Sequence, residues 1–416
     1  MIRRFGLGLM ICLLFPFGTN ALAQQQPDVP IVGVSEDVLT IFGTAGNTRI
    51  GDDTPFYLGL AASPNGSHIA YTAFPTSESF ETALMLLPTD VSAPPVSIAS
   101  EVLGEFAPAF DMNSQFLYYV RPGAMLESAD SPMQLTAEVM QVDLFQPEAG
   151  PTLITEFVYQ GGCGGGSPYP MDAAYSMESG LNGIGLTFAP TPLGIVHSLG
   201  CNGVGLGLTD PETGETTELS ADFARGSLSA DRTQIAGTRV VFADSGILSE
   251  LVIIDLTDGA TINTLTENMP EQVHWGADGR LYYTTRTLTE NSYDLTDDQS
   301  ARFEEVVGLP AADLPSYEVA LNRYNIITGE SEPVYTASGA WAIGQIDTTF
   351  NALYFSQIPD ATPWLEVLLA DGFNLDTEEA FAQSDEATLP DVYRVGADGQ
   401  AALLLEDVQM FAVAAN

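Results

Sequence analysis

The chain has 416 residues, with 55 Asp and Glu against 12 basic residues that are all Arg, for a net charge of -43. With so few cations among so many acids, binding nucleic-acid phosphates is nearly excluded, and so is docking on an anionic membrane through a basic patch. Yet 45% of its residues are hydrophobic, which excludes a disordered acidic tail and allows a large core, in two or three ordinary domains or one large repeat domain.

Residues 1–23 read as a signal peptide. Basic Arg3-Arg4 precedes an apolar run from Phe5 to Phe17, and Ala21-Leu22-Ala23 supplies a small-x-small cleavage site before Gln24. The run is too short to span a bilayer, and an uncleaved anchor is the alternative. The flanks of a twin-Arg signal are missing, and Cys12 lies inside the apolar run, a poor place for lipidation. The reading predicts a periplasmic or secreted chain, residues 24–416, with no membrane insertion after cleavage.

Downstream, one pattern recurs: a short strand, a polar turn, then a strand rich in aromatic and β-branched residues. It runs LGLAASPNGSHIAYTAF from Leu58, APAFDMNSQFLYYV from Ala107, GSLSADRTQIAGTRV from Gly226 and VHWGADGRLYYTTR from Val273. Weaker copies start at Asp172 and Ala342. Alternation and turn chemistry make each a β-hairpin. A second kind of hairpin falls between the copies, most clearly in ELVIIDLTDGATINTLTE from Glu250. Two hairpins per unit make a four-stranded antiparallel sheet, at the spacing of propeller blades.

SPNGSHIAYTAF and GADGRLYYTTR resemble the S-P-D-G-K-x-I-A-Y-T element of TolB-type, WD40-like (PD40) β-propeller repeats. The same element occurs in the propeller domains of prolyl-oligopeptidase-like enzymes. The resemblance covers nearly the whole mature chain and implies an all-β fold, but not an activity, because this repeat serves binding proteins and enzymes alike. The copies from Asp172 and Ala342 depart from the motif, which softens their blade boundaries.

Six units are complete. The strands IVGVS, DVLTIFGT and NTRIG near the N-terminus and VQMFAVAA at the C-terminus together supply four more. The expectation is therefore a single domain of seven blades, the last closed by both termini, with six blades and a decorated edge as the alternative.

With the strands of a blade labelled A to D from the channel outward, A–B and C–D turns share one face, and B–C and D–A connections the other. The first set is short (SPNG, GADG, LTDG, PETG). The long excursions fall between B and C, at residues 121–135, 189–200, 287–316 and 359–390. DDQSARFEEVV and DTEEAFAQ in the last two read as helices with Asp or Thr caps. Cys163 (QGGCGGGSPYP) and Cys201 (LGCNG) come to this same face beside one blade, which favours a disulfide over two separate buried thiols. The triple Gly is no phosphate cradle, because neither Lys nor a helix start follows it.

Counting back from each A–B turn places an apolar set, including Phe110, Trp275 and Ile346, between blades. The same alternation turns Tyr175, Arg225, Ser227, Gln272, His274 and Gln345 toward the channel, where they could bind an anionic or hydroxyl-bearing ligand. Blades 1 and 2 offer only small residues there, such as Ala61 and Ala109. An unliganded, water-filled polar channel is the competing reading.

Catalytic signatures are sparse. The chain has three His, His68, His197 and His274, read as exposed beside an A–B turn, in a B–C connection and on an A strand respectively. It contains neither G-x-S-x-G nor H-E-x-x-H, and zinc lacks ligands. DLTDDQ and DGFNLDTEE offer oxygens to Ca²⁺ without the D-x-D-x-D-G spacing, so no metal or cofactor is assigned. A paired-acid glycosidase stays open in so acidic a chain, although any one pair of carboxylates is far more often solvated surface. Asn65 of the NGS stretch occupies the repeat's turn and reads as structural rather than as a glycosylation acceptor.

Three functional readings remain. One is an exported, non-enzymatic binding protein that recognises a protein, peptide or glycan on the loop-rich face. Another is a secreted hydrolase or lyase at the channel mouth, using acids with His274 or Tyr175. The third is a structural part of an envelope assembly.

A surface this acidic and free of Lys resembles one adapted to high salt, where screening relieves self-repulsion. The melting temperature should rise between low and molar NaCl in a thermal-denaturation series. A flat or falling series would remove the high-salt reading.

Overall fold

In the computed structural model, the alternating hairpins form seven four-stranded antiparallel sheets, the blades of a β-propeller. The structure describes residues 29–414 except 36–37, 44–45, 51–55, 75–81, 105, 127–133, 161–185, 200–203, 244–245, 266–269, 291–292, 294, 309, 360, 371–388 and 397–398. The signal-peptide reading, Tyr175, the helix read in DTEEAFAQ and the Cys163–Cys201 pairing lie outside the described residues.

Blade 1 comprises Phe56–Ala62, His68–Phe74, Ala83–Pro88 and Val96–Ser100, and blade 2 Ala109–Phe110, Phe116–Leu126, Gln134–Asp143 and Thr152–Gln160. Blade 3 is built from Phe188–Thr191, Gly194–Ser198, Leu206–Thr209 and Thr216–Ser220, and blade 4 from Phe223–Leu228, Gln234–Ala243, Gly246–Asp255 and Thr261–Leu265. Blade 5 follows with Val273–Trp275, Leu281–Thr289, Ser316–Asn325 and Glu330–Ser338, then blade 6 with Ala342–Thr348, Leu353–Ile358, Asp391–Val395 and Ala401–Leu405. In blade 7 the C-terminal strand Val408–Val413 is innermost and pairs antiparallel with Ile31–Ser35, which leads outward to Val38–Gly43 and Gly46–Ile50. Gly33 is required at that seam, since a Cβ there would lie 2.9 Å from Val408 Cγ1 and 3.1 Å from the Met410 carbonyl.

Two expected excursions are strands instead. The segment 189–200 contributes the inner hairpin of blade 3, with Phe188 opposite His197 and Thr191 opposite Gly194. Pro192 and Leu193 make its two-residue turn, and the Thr191 hydroxyl donates to the Gly194 carbonyl at 2.9 Å. Pro192 thus sits in a tight turn. In blade 2, strands B and C continue outward to Leu126 and inward from Gln134, still paired, so the excursion there narrows to residues 127–133.

The turns on the short-loop face are held by their own side chains. Asp111 accepts the backbone N–H groups of Gln115 and Phe116 at 2.7 Å each, and Asp231 accepts the Ser229 hydroxyl at 2.7 Å. Asn65 accepts the Ser67 N–H at 3.0 Å. Such Asx contacts explain why Asp and Asn recur at these positions.

The core lies between blades. Phe106 sits edge-on to Phe157 at 5.8 Å and to Phe188 at 6.0 Å, joining blades 2 and 3. Phe355 stacks on Tyr393 at 5.5 Å, with Tyr335 of blade 5 against both. Phe110, Trp275 and Ile346 are buried in such interfaces, and each side chain of this size contributes roughly 1.5–3 kcal/mol by leaving water. Among the described residues no helix is long and apolar enough to cross a membrane.

Candidate functional site

Two features stand out: the lining of the channel and a module on the face opposite the short turns.

Side chains of a strand stand perpendicular to its sheet, so those of an inner strand point mainly at the flanking blades, and the strand's free backbone edge faces the channel. Three of the residues read as channel lining, Ser227, Arg225 and Gln345, reach the next blade and bond there. The Ser227 hydroxyl of blade 4 accepts the Trp275 N–H of blade 5 at 2.8 Å. Arg225 Nη1 donates to the Glu271 carbonyl at 2.8 Å. In blade 6 the Gln345 amide meets Phe411 of the C-terminal strand twice: its Nε2 donates to the Phe411 carbonyl, and its Oε1 accepts the Phe411 N–H at 3.1 Å. Asp347, two residues on, accepts the Val413 N–H at 2.9 Å. Gln345 and Asp347 thus fasten alternate residues of the strand that closes the ring.

β-Bulges aim these side chains. The register shifts between Ala224 and Ser227 in blade 4 and between Ile343 and Ile346 in blade 6. Arg225 lies within the first bulge with φ +56°, a left-handed conformation uncommon for a side chain of this size. Simple alternation cannot place residues across such a shift, and Ile343, two residues before Gln345, is a buried core residue. Blades 1 and 2 use close approach instead, since a Cβ on Gly59 would lie 3.1 Å from Ala107 Cα.

The histidines are not arranged as bases. His274 is part-buried on its inner strand, with Nε2 3.4 Å from the Thr348 hydroxyl. Loss of hydration pushes its pKa down to about 4 against the opposing pull of Asp278, so the ring is neutral at pH 7. His197 is on strand B of blade 3 rather than in a connection. It is fully buried between the Ser198 carbonyl (2.9 Å) and the Thr209 hydroxyl (2.8 Å), stacked on Phe157, and burial takes its pKa to about 4. His68 is part-buried rather than exposed, with Nδ1 2.7 Å from the Ser67 hydroxyl. Among the described residues no histidine hydrogen-bonds a carboxylate, and no group of three metal-binding side chains forms.

Helix α1 (Asp297–Val307) lies in the B–C connection of blade 5 and α2 (Thr362–Leu368) in that of blade 6. Thr296 caps α1 by accepting the Gln299 N–H at 3.2 Å, and the Gln299 side chain accepts the Thr296 N–H in return, a capping box. The two connections share one apolar core. Phe303 of α1 lies edge-on to Trp364 of α2 at 6.2 Å, with Leu314, Trp341, Leu365 and Leu368 around them. The Tyr293 hydroxyl accepts the Ala361 N–H across the two insertions at 3.2 Å. Arg286 anchors this module to the blades: it pairs with Glu271 at 2.9 Å, donates to the Trp341 carbonyl at 3.3 Å and lies 4.6 Å over the Tyr317 ring. The aromatic spacing of 341–364 is the signal in the sequence that could have shown the two excursions to be one unit.

No protein-family model matches the chain, and no curated protein does. Solved structures do. A prolyl endopeptidase superposes with TM-score 0.50 at 10% identity, over 92% of this chain and 50% of that one. An acylaminoacyl peptidase in complex with Z-Gly-Gly-Phe-chloromethyl ketone gives TM-score 0.50 at 11% identity, over 89% and 48%. TolB from Acinetobacter baumannii gives 0.40 at 17% identity, over 74% of this chain and 63% of that one. The chain spans about half the length of the two peptidases. At these identities the likeness shows the fold alone.

Asp347 generates a test. Withdrawal from water raises its carboxyl from 3.8 to about 6, against the two backbone N–H groups that favour the ionised form. A carboxyl whose pKa is higher folded than unfolded takes up its proton on folding, so its contribution becomes more favourable as pH falls from above 6 toward 4. The melting temperature of the wild type relative to Asp347→Asn should therefore rise as pH drops through that window. A difference independent of pH would show that Asp347 does not titrate as described.

Proposed function

We propose that the chain is an exported, non-enzymatic β-propeller that binds a protein, peptide or glycan partner on its loop-rich face. The observation that carries this reading is the single core shared by the insertions of blades 5 and 6. Two connections that merely covered sheet edges would each need only local contacts, whereas these build a joint platform on a rigid scaffold, the usual way loops come to carry recognition. Export rests on the tripartite N-terminal pattern of residues 1–23, and a periplasmic or secreted address follows from it. No described His hydrogen-bonds a carboxylate, and burial keeps His197 and His274 neutral, which supports binding over hydrolysis.

The test is capture of partners from the producing cell's envelope and medium. The bait is the wild-type chain, compared with a charge-reversed α1 variant, Glu304→Arg, at an exposed position outside the Arg302–Glu305 pair and the acidic first turn. The same partner should be retained by the wild type and lost, by about tenfold or more in affinity, from the variant, with an unchanged melting temperature. Equal capture by both would move the binding surface elsewhere. Turnover of a peptide or glycan by the wild type, abolished in His274→Ala, would replace binding by the hydrolase reading.

A further inference from the structure

Cations are scarce here, and most are spoken for. Six of the described arginines pair with a carboxylate: Arg121, Arg239, Arg280, Arg286, Arg302 and Arg323. Among the described residues Arg225 and Arg232 do not, and each gives its guanidinium to a backbone carbonyl, Glu271 and Pro190 respectively. The Glu271 carboxylate is drawn away from Arg225 to Arg286 at 2.9 Å. The acid nearest in sequence to Arg225's acceptor is thus already neutralised. Arg225 is part-buried near the loop-face end of the blade 4 inner strand, and part-buried Gln272 directly follows Glu271. In a chain with 55 carboxylates, a guanidinium left without one is a charge open to another partner.

The backbone supports the same conclusion. Arg225 has φ +56° within a β-bulge, a conformation that Gly adopts at no steric cost. Keeping Arg at a position that favours Gly is the pattern of strain maintained for function.

We propose that Arg225, with Gln272 beside it, forms a binding site for a carboxylate group at the loop-face mouth of the channel. The guanidinium keeps free N–H groups after its bond to Glu271, and a carboxylate matches that planar fork with two acceptors. One cation beside a neutral amide suits a singly charged anion better than a phosphate dianion. The acidity of the rest of the chain does not forbid this, since salt screens charges beyond roughly 8 Å at physiological ionic strength. None of the site's groups comes from α1 or α2, although Glu271 links the site to the platform through Arg286.

The experiment titrates the full chain calorimetrically with acetate, succinate and galacturonate, alongside galactose and inorganic phosphate. Carboxylates should bind and galactose should not. Arg225→Gly should weaken carboxylate binding by at least about tenfold while melting at the wild-type temperature or higher, because Gly relieves the left-handed strain. Arg225→Lys, which keeps the charge but loses the fork, should bind more weakly than wild type. The proposal is overturned if no carboxylate binds the wild type, if phosphate binds more tightly than every carboxylate, or if Arg225→Gly binds as well as wild type. A large drop in the melting temperature of Arg225→Gly without any wild-type carboxylate binding would make Arg225 a structural tie only.

Discussion

A propeller's inner strands each leave one backbone edge unpaired along the channel, and this is the constraint on which the rest of the structure depends. Outer edges meet solvent on a broad rim, but inner edges crowd together near the axis, where water is limited and a free N–H or C=O is costly. Blades 4 to 7 meet the problem with side chains. Ser227, Gln345 and Asp347 each reach one blade onward and accept or donate at the neighbouring inner strand. Blades 1 and 2 meet it by bringing backbones together at Gly59 and Ala107. The ring closes where its ends join, and there the ties are densest: the C-terminal strand pairs with Ile31–Ser35 on one side and is fastened by Gln345 and Asp347 on the other.

This lopsided fastening organises the two faces. The polar half of the ring also carries the insertions, whose shared core sits above the inner strands of blades 5 and 6 and is tied to them by Arg286. Arg286 engages Glu271, and Glu271 in turn gives only its carbonyl to Arg225. Support of the platform and the charge left on Arg225 are therefore consequences of one arrangement. The opposite face, with turns closed by Asp and Asn, displays carboxylates whose first obligation is to their own backbone.

Much of this was legible in the sequence. SPNG, GADG and LTDG mark turns because Asx contacts and Gly at positive φ require those residues, and the blade count follows from their recurrence. DDQSARFEEVV is a helix with its Thr cap in place. Blade 3 was displaced because its inner hairpin was read in the weak repeat copy from Asp172, which left 189–200 as an excursion, and nothing local distinguishes a two-residue turn between buried strands from an exposed connection. Of the residues read toward the channel, Arg225, Ser227, His274 and Gln345 lie on inner strands, Gln272 directly precedes one and Tyr175 lies outside the described residues; the partners of these side chains were hidden for two reasons. Alternation gives a face without saying what stands opposite it, and a bulge, as at Arg225 and Gln345, breaks the count. Long-range partners such as Phe411 for Gln345, separated by 66 residues, have no local signature.

The most direct test of the fastened inner ring is the urea unfolding free energy of Gln345→Leu against that of Gln146→Leu. Gln345→Leu leaves the Phe411 N–H and carbonyl unmatched and should cost roughly 1–3 kcal/mol, whereas Gln146, exposed between the outer strands of blade 2 with no side-chain cap bond, should tolerate the change within about 0.5 kcal/mol. Equal stabilities for the two variants would contradict the claim that side chains crossing between inner strands hold the ring closed.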